Sequence, residues 1–150
     1  MKHLKLQAFK GRLWVPEECS PRTIALDGAI VGVYSDPVKQ VFSFDHHGEV
    51  PRMGYQATCS QVLNALITGL DPAGFNILVN DIDADVVTAY ALLLRPDLKE
   101  SPYVRQFVNT IGLSDNYGPA FPFTGNTMNI KEYYHKHVLG LLRTLKKAEI

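Results

Sequence analysis

Neither sign of charge dominates: the chain of 150 residues carries 15 Lys and Arg against 15 Asp and Glu. The basic footprint that duplex nucleic acid or an anionic membrane selects is therefore missing, and long nucleic-acid partners are disfavoured. Cysteine is scarce. Cys19 and Cys59 have no C-x-x-C spacing, which excludes a zinc ribbon or thioredoxin-type motif, and nothing suggests a disulfide framework. Long apolar runs are also absent. The stretch Ala89 to Leu94 is far below the roughly 20 residues of a membrane span, and Met1 to Lys10 alternates polar and apolar residues where a secretory leader needs a continuous apolar core. A soluble, reducing, cytoplasmic setting is the expectation. No internal repeat, low-complexity tract or Gly/Ser linker interrupts the chain, so residues 1–150 read as a single domain.

What is present has the balance of a globular protein, 46% hydrophobic and 20% charged. At this length roughly two thirds of the unfolded surface is buried on folding, so a core forms without a structural metal or disulfide as its main support. Alternation over Leu4 to Phe9, the apolar run Thr23 to Leu26, and the Val- and Ile-rich stretch Ala29 to Tyr34 predict strands. Ser35-Asp36-Pro37 supplies a turn, and Val41 to Phe44 the second arm of a hairpin. From Thr58 the period becomes helical, with Val62, Leu63, Leu66 and Ile67 on one face, a Thr or Ser as N-cap and Gly69 as C-cap. Asn76 to Val79 is again strand-like and Val86 to Leu94 helical, ending before Pro96. Ser101-Pro102 opens a further helix expected to close at Gly112, and an amphipathic C-terminal helix is expected from Ile130 to Leu145. Strands alternating with helices predict an α/β fold with a mostly parallel sheet.

The acids fall where strands end. Asp27 follows Thr23 to Leu26; Asp45, His46 and His47 follow Val41 to Phe44; Asp81, Asp83 and Asp85 follow Asn76 to Val79. Open α/β sheets form their sites outside the carboxyl ends of strands, and carboxylates gathered there ask for cations between them. Oxygen donors with one or two imidazoles suit Mg or Mn better than zinc. Simpler roles compete: Asp83 or Asp85 alone is most simply a helix cap, and a lone His a satisfied turn residue. The spacing Asp81-x-Asp83-x-Asp85 opens like an EF-hand loop, but position six is Val86 and position twelve Leu92, where that loop needs Gly and Glu. Cys59 reads as a small core residue, and His135, His137, Trp14, Tyr133 and Tyr134 receive no role.

Phe44-Asp45-His46-His47 behind an Asp-bearing strand, with Ala57-Thr58-Cys59-Ser60-Gln61-Val62-Leu63 after it, resembles the DHH phosphoesterase superfamily of RecJ-like nucleases, oligoribonucleases and manganese pyrophosphatases. The segment Leu26 to Pro37 is similar to the MYG-type branch, and Thr110 to Asn116 to the superfamily's last acidic motif. The family's N-terminal acidic motif has no counterpart in Met1 to Arg22; Asp81 to Leu93 looks like it, relocated behind the DHH triplet, and 150 residues leave no room for the accessory C-terminal domain of relatives. The resemblance implies that Asp27 bridges two metals, that His46 and Asp115 ligate them, and that Asp81, Asp83 and Asp85 supply further ligands. It implies catalytic roles for His47, orienting the scissile phosphate, and for Asp45 behind the histidines, with Arg52 and Gly48 as phosphate-binding candidates. The expected activity is a Mn- or Mg-dependent phosphohydrolase acting by two-metal activation of water on a small phosphodiester, nucleotide or phosphoanhydride. The alternative is a non-catalytic metal- or nucleotide-binding or regulatory relative of the same fold.

Overall fold

The computed structural model describes residues 4–48, 50–52 and 54–118. The helix expected over Ile130 to Leu145 lies outside them. Strands β1 (Lys5–Ala8), β2 (Thr23–Leu26), β3 (Tyr34–Asp36), β4 (Val41–Phe44) and β5 (Asn76–Val79) form one sheet in the order β1-β5-β2-β4-β3. The first four of these are mutually parallel, and only the edge strand β3 runs antiparallel, against β4. Helices α1 (Thr58–Ile67), α2 (Ala84–Leu94) and α3 (Pro102–Tyr117) complete a small α/β domain, the class expected from the alternating pattern.

Period-two alternation splits the sheet between two cores. Ile24, Leu26, Ile77 and Val79 join Val62, Leu66, Val87, Leu92 and Ile111 of the helices in the larger one. Ala25, Val41 and Leu78 point the other way, where Trp14, Cys19, Ala29 and Ile30 cover them. Every residue of β2 is buried, as a central strand flanked on both faces requires. The register aligns Leu26 with Phe44, and Ala25 with Leu78, so the carboxyl ends of β2, β4 and β5 come out side by side.

Two expectations need correction. Ala29 to Tyr34 is not a strand: the chain bends through Gly28 and Gly32, at φ +80° and +82°, and Ile30 makes only an isolated bridge to Trp14. The Gly32 N–H is taken by the Asp45 carboxylate at 2.7 Å instead of a strand partner, and pairing begins only at Tyr34. The hairpin is real but its turn follows Asp36, whose Oδ1 accepts from the N–H groups of Val38 and Lys39, both at 2.9 Å. Likewise α3 does not close at Gly112 but runs on to Tyr117, with Ser101 as N-cap and Gly118, at φ +81°, ending it.

Gly112 is there for proximity. A Cβ built on it would lie 2.6 Å from Ser60 Oγ and 3.4 Å from Ala57 Cβ, so a side chain here would have to push the Ser60 hydroxyl aside where α3 presses onto the start of α1. One turn later the same helix carries Asp115 and Asn116. Gly112→Ala is expected to lose about 1–3 kcal/mol of stability in a denaturant titration. Adding Ser60→Ala should recover most of that loss, since it removes the conflicting atom while alanine favours the helix by about 1 kcal/mol over glycine. Equal stability of wild type and Gly112→Ala would mean that the two helices are slack at this point.

Candidate metal centre

The site lies where β2, β4 and β5 end. Asp27 leaves β2 in the left-handed region, at φ +54°, a conformation uncommon for a residue with a side chain and one that clusters at functional positions. Its N–H is still held by Phe44 O at 2.8 Å, so the reversal is anchored. His46 and His47 follow β4. Asp85 belongs to the first turn of α2, which Asp83 caps by accepting from Val86 N at 2.9 Å. Asp115 and Asn116 come from the last turns of α3.

These residues meet at one atom. His46 Nε2 lies 3.0 Å from Asp115 Oδ2, 3.2 Å from Asp27 Oδ1 and 3.4 Å from Asp85 Oδ2. The His46 and Asp85 side chains are fully buried, that of Asp27 is 7% exposed and that of Asp115 24%. None of the three carboxylates is in hydrogen-bonding geometry with the imidazole, and both His46 Nε2 and Asp115 Oδ2 are left buried without a hydrogen bond. Native structures rarely leave such atoms orphaned, and a cation among them is the simplest satisfaction of all at once. Donor atoms of Asp27, His46 and His47 lie within 4.8 Å of one another, as do those of His46, Asp85 and Asp115. These buried groups can hold a metal ion.

Without a cation, the imidazole supplies the counter-charge. Burial opposes a charge on His46, but the adjoining carboxylates of Asp115, Asp27 and Asp85 outweigh it and push the group up to about 12. Burial likewise opposes ionisation of Asp27, yet His46 and His47 hold it well below the usual carboxylate range. Asp83 shows the strain of the arrangement from outside. Burial, partly offset by its bond from Val86 N–H and reinforced by the charges of Asp27, Asp85 and Asp115, raises it to about 6.

The two adjacent histidines differ. Arg52 Nη2 lies 3.1 Å from His47 Nδ1, and a guanidinium can only donate, so His47 Nδ1 is the acceptor and its ring proton sits on Nε2. That nitrogen faces Asp27 Oδ1 at 3.0 Å. With Arg52 on Nδ1, His47 presents its Nε2 proton at the edge of the cluster, 37% exposed, although it stands in one of the two groups that can hold an ion.

Of the residues expected from the sequence, the structure brings together Asp27, His46, His47, Asp85 and Asp115, with Asp83 capping α2 beside them and Arg52 at the rim, 3.9 Å from Asp115. Asp81 is not brought in: it is exposed, and its Oδ1 accepts from Ile82 N next door, because the chain must still turn before α2 begins. Asp45 is buried but turned away, its oxygens accepting from Gly32 N at 2.7 Å and His47 N at 2.8 Å. It orients the backbone of the triplet and not the rings. Gly48 forms the turn after His47, at φ +64°. Cys59 is a core residue, its thiol pushed well up by burial and the nearby Asp85.

Some partners were not legible beforehand. No side chain of α1 caps its own N-terminus; the Asp85 carboxylate does so from α2, accepting from Thr58 N at 2.8 Å and Cys59 N at 2.7 Å. Thr58 Oγ1 reaches Asp27 Oδ1 at 3.0 Å and Phe44 O at 3.2 Å. Gln61 Nε2 holds Asp45 O at 2.8 Å, and Asn116 Oδ1 meets His46 Nδ1 at 2.8 Å. Helix α1 begins at a Thr, and Asn116 follows an acid singled out in the sequence, but nothing local says that either reaches another element. No family model, curated protein or solved structure matches the chain.

A cation that takes His46 Nε2 must displace its proton, so Mn binding is expected to release about one proton per ion near neutral pH and to weaken as pH falls. Calorimetry in two buffers of different ionisation enthalpy counts that proton, and zero release would contradict the assignment. In the metal-free protein the raised His46 group stabilises fully below its unfolded value of 6.5, and that contribution is lost as pH rises toward about 12. Asp85→Asn should abolish Mn binding, whereas Asp81→Asn should bind like wild type.

Proposed function

We propose that the protein is a metal-dependent phosphohydrolase of DHH type, using Mn or Mg on a small phosphodiester, nucleotide or phosphoanhydride. The observation that carries this reading is the buried, hydrogen-bond-free Nε2 of His46 among three carboxylates, with a proton-bearing imidazole and an arginine at the rim. Donors of one imidazole and several carboxylates fall where the preferences of Mn overlap those of both nitrogen and oxygen ligands. The order of the acidic segments departs from the family's, and the placement of Asp85 in the cluster is what the relocated motif would have to achieve.

Divalent ions, two in the family pattern, would when bound supply an activated water and offset charge on the phosphoryl oxygens. His46, Asp27, Asp85 and Asp115 are the residues that would hold them, with Asp83 beside the group. Arg52 presents N–H groups to a phosphate oxygen in the manner for which guanidinium is suited. His47 holds a proton on Nε2 at the boundary between cluster and solvent, the position from which a leaving oxygen can be protonated. Asp45 keeps the peptide between the two histidines fixed through His47 N. Among the described residues no helix is long and apolar enough to cross a membrane. The two free, buried cysteines suit a reducing cytoplasm.

Purified protein loaded with Mn should hydrolyse members of a panel of phosphodiester, nucleotide and pyrophosphate substrates and lose that activity with chelator. His47→Ala should cut turnover by roughly a hundredfold or more while Mn affinity stays nearly intact. Intact Mn binding with no turnover on the whole panel would replace the enzyme with a metal-binding or regulatory protein of this fold.

A further inference from the structure

A histidine that ligates through one ring nitrogen needs the other nitrogen occupied, because the partner there fixes which nitrogen carries the proton and where the lone pair points. In His46 the ligating atom is Nε2, so the deciding contact is at Nδ1. That contact is Asn116 Oδ1, at 2.8 Å. An amide oxygen only accepts, so Nδ1 donates and a single lone pair remains at Nε2 once the second proton has left. The amide itself is not free to turn round. Asn116 Nδ2 points to Tyr55 O at 3.4 Å, and a flipped amide would set its oxygen against that carbonyl and its N–H₂ against His46 Nδ1–H. The neighbouring imidazole gives the contrast: Arg52 donates to His47 Nδ1 and so leaves the opposite nitrogen protonated.

We propose that Asn116 is a positioning residue of the metal centre, holding His46 in the Nδ1–H form with its Nε2 lone pair aimed at Asp27, Asp85 and Asp115. The proposal rests on the reading of those residues as metal ligands. Asn116 reaches the site because Gly112 lets α3 lie close on α1, and the loop that carries Arg52 and Tyr55 orients its amide from the far side.

The test compares wild type, Asn116→Leu, which keeps the bulk and removes the acceptor, and Asn116→Asp, which keeps the acceptor. Titration with Mn by calorimetry should show Asn116→Leu weakened about 10- to 100-fold and Asn116→Asp within about threefold of wild type or tighter. Ring ¹H–¹⁵N spectra of the metal-free proteins should show a His46 Nδ1–H proton protected from exchange in wild type and Asn116→Asp and exchanging at least tenfold faster in Asn116→Leu, a signature that a merely space-filling residue would not move. Wild-type Mn affinity in Asn116→Leu overturns the proposal and leaves the metal centre standing. A wild type that binds no Mn overturns the metal reading, and this proposal with it. Should Asn116→Leu fail to fold, Asn116→Asp decides: a loss of tenfold or more there overturns the proposal, and retained affinity with the protected Nδ1–H supports it.

Discussion

Three carboxylates gathered around one buried nitrogen are the constraint from which the rest of this molecule follows. Like charges a few ångströms apart in a water-poor interior repel strongly, and the folded chain tolerates them only with something positive at the centre. In the protein alone that positive charge is the His46 imidazolium; in the proposed function it is a cation. The surrounding structure exists to hold the acids against their repulsion. Parallel pairing in register aligns the ends of β2, β4 and β5, the left-handed turn at Asp27 aims one carboxylate inward, and the close contact at Gly112 delivers another from α3.

Much of this was legible in the sequence, for reasons that can be named. Parallel strands with crossover helices announce themselves by period, and the strand-end rule then puts Asp27, the triplet and the acids after Val79 on one edge. What the pattern does not separate are residues two apart in an extended segment. Asp81, Asp83 and Asp85 look alike in sequence, yet one is in solvent, one caps α2, and one is buried in the cluster. Their fates are settled by where α2 starts, a boundary that depends on packing as well as on local preference. Ala29 to Val33 misled for a similar reason: its β-branched residues favour a strand, but the Asp45 carboxylate claims the amide a strand would have used. Contacts such as Asn116 to His46, 70 residues apart, leave no trace in local pattern at all.

The adjacent histidines illustrate how identical side chains are given different work by what touches their far nitrogens. An acceptor lies behind His46 and a donor behind His47, although the ring centroids are only 4.3 Å apart. Neither partner stands out by composition. Both become visible only when the hydrogen-bonding capacity of each group is followed to its end.

Asp85 closes the N-terminus of α1 with the same carboxylate that faces His46. Both of its oxygens are engaged by backbone amides, so the side chain has no rotamer into which it can swing while α1 stays docked. This one carboxylate therefore moves with helix motion and not by side-chain rotation. Movement of this carboxylate follows the clock of partial unfolding, on which the Thr58 and Cys59 amides trade their hydrogens with solvent, far slower than the picoseconds to nanoseconds of an exposed side-chain flip.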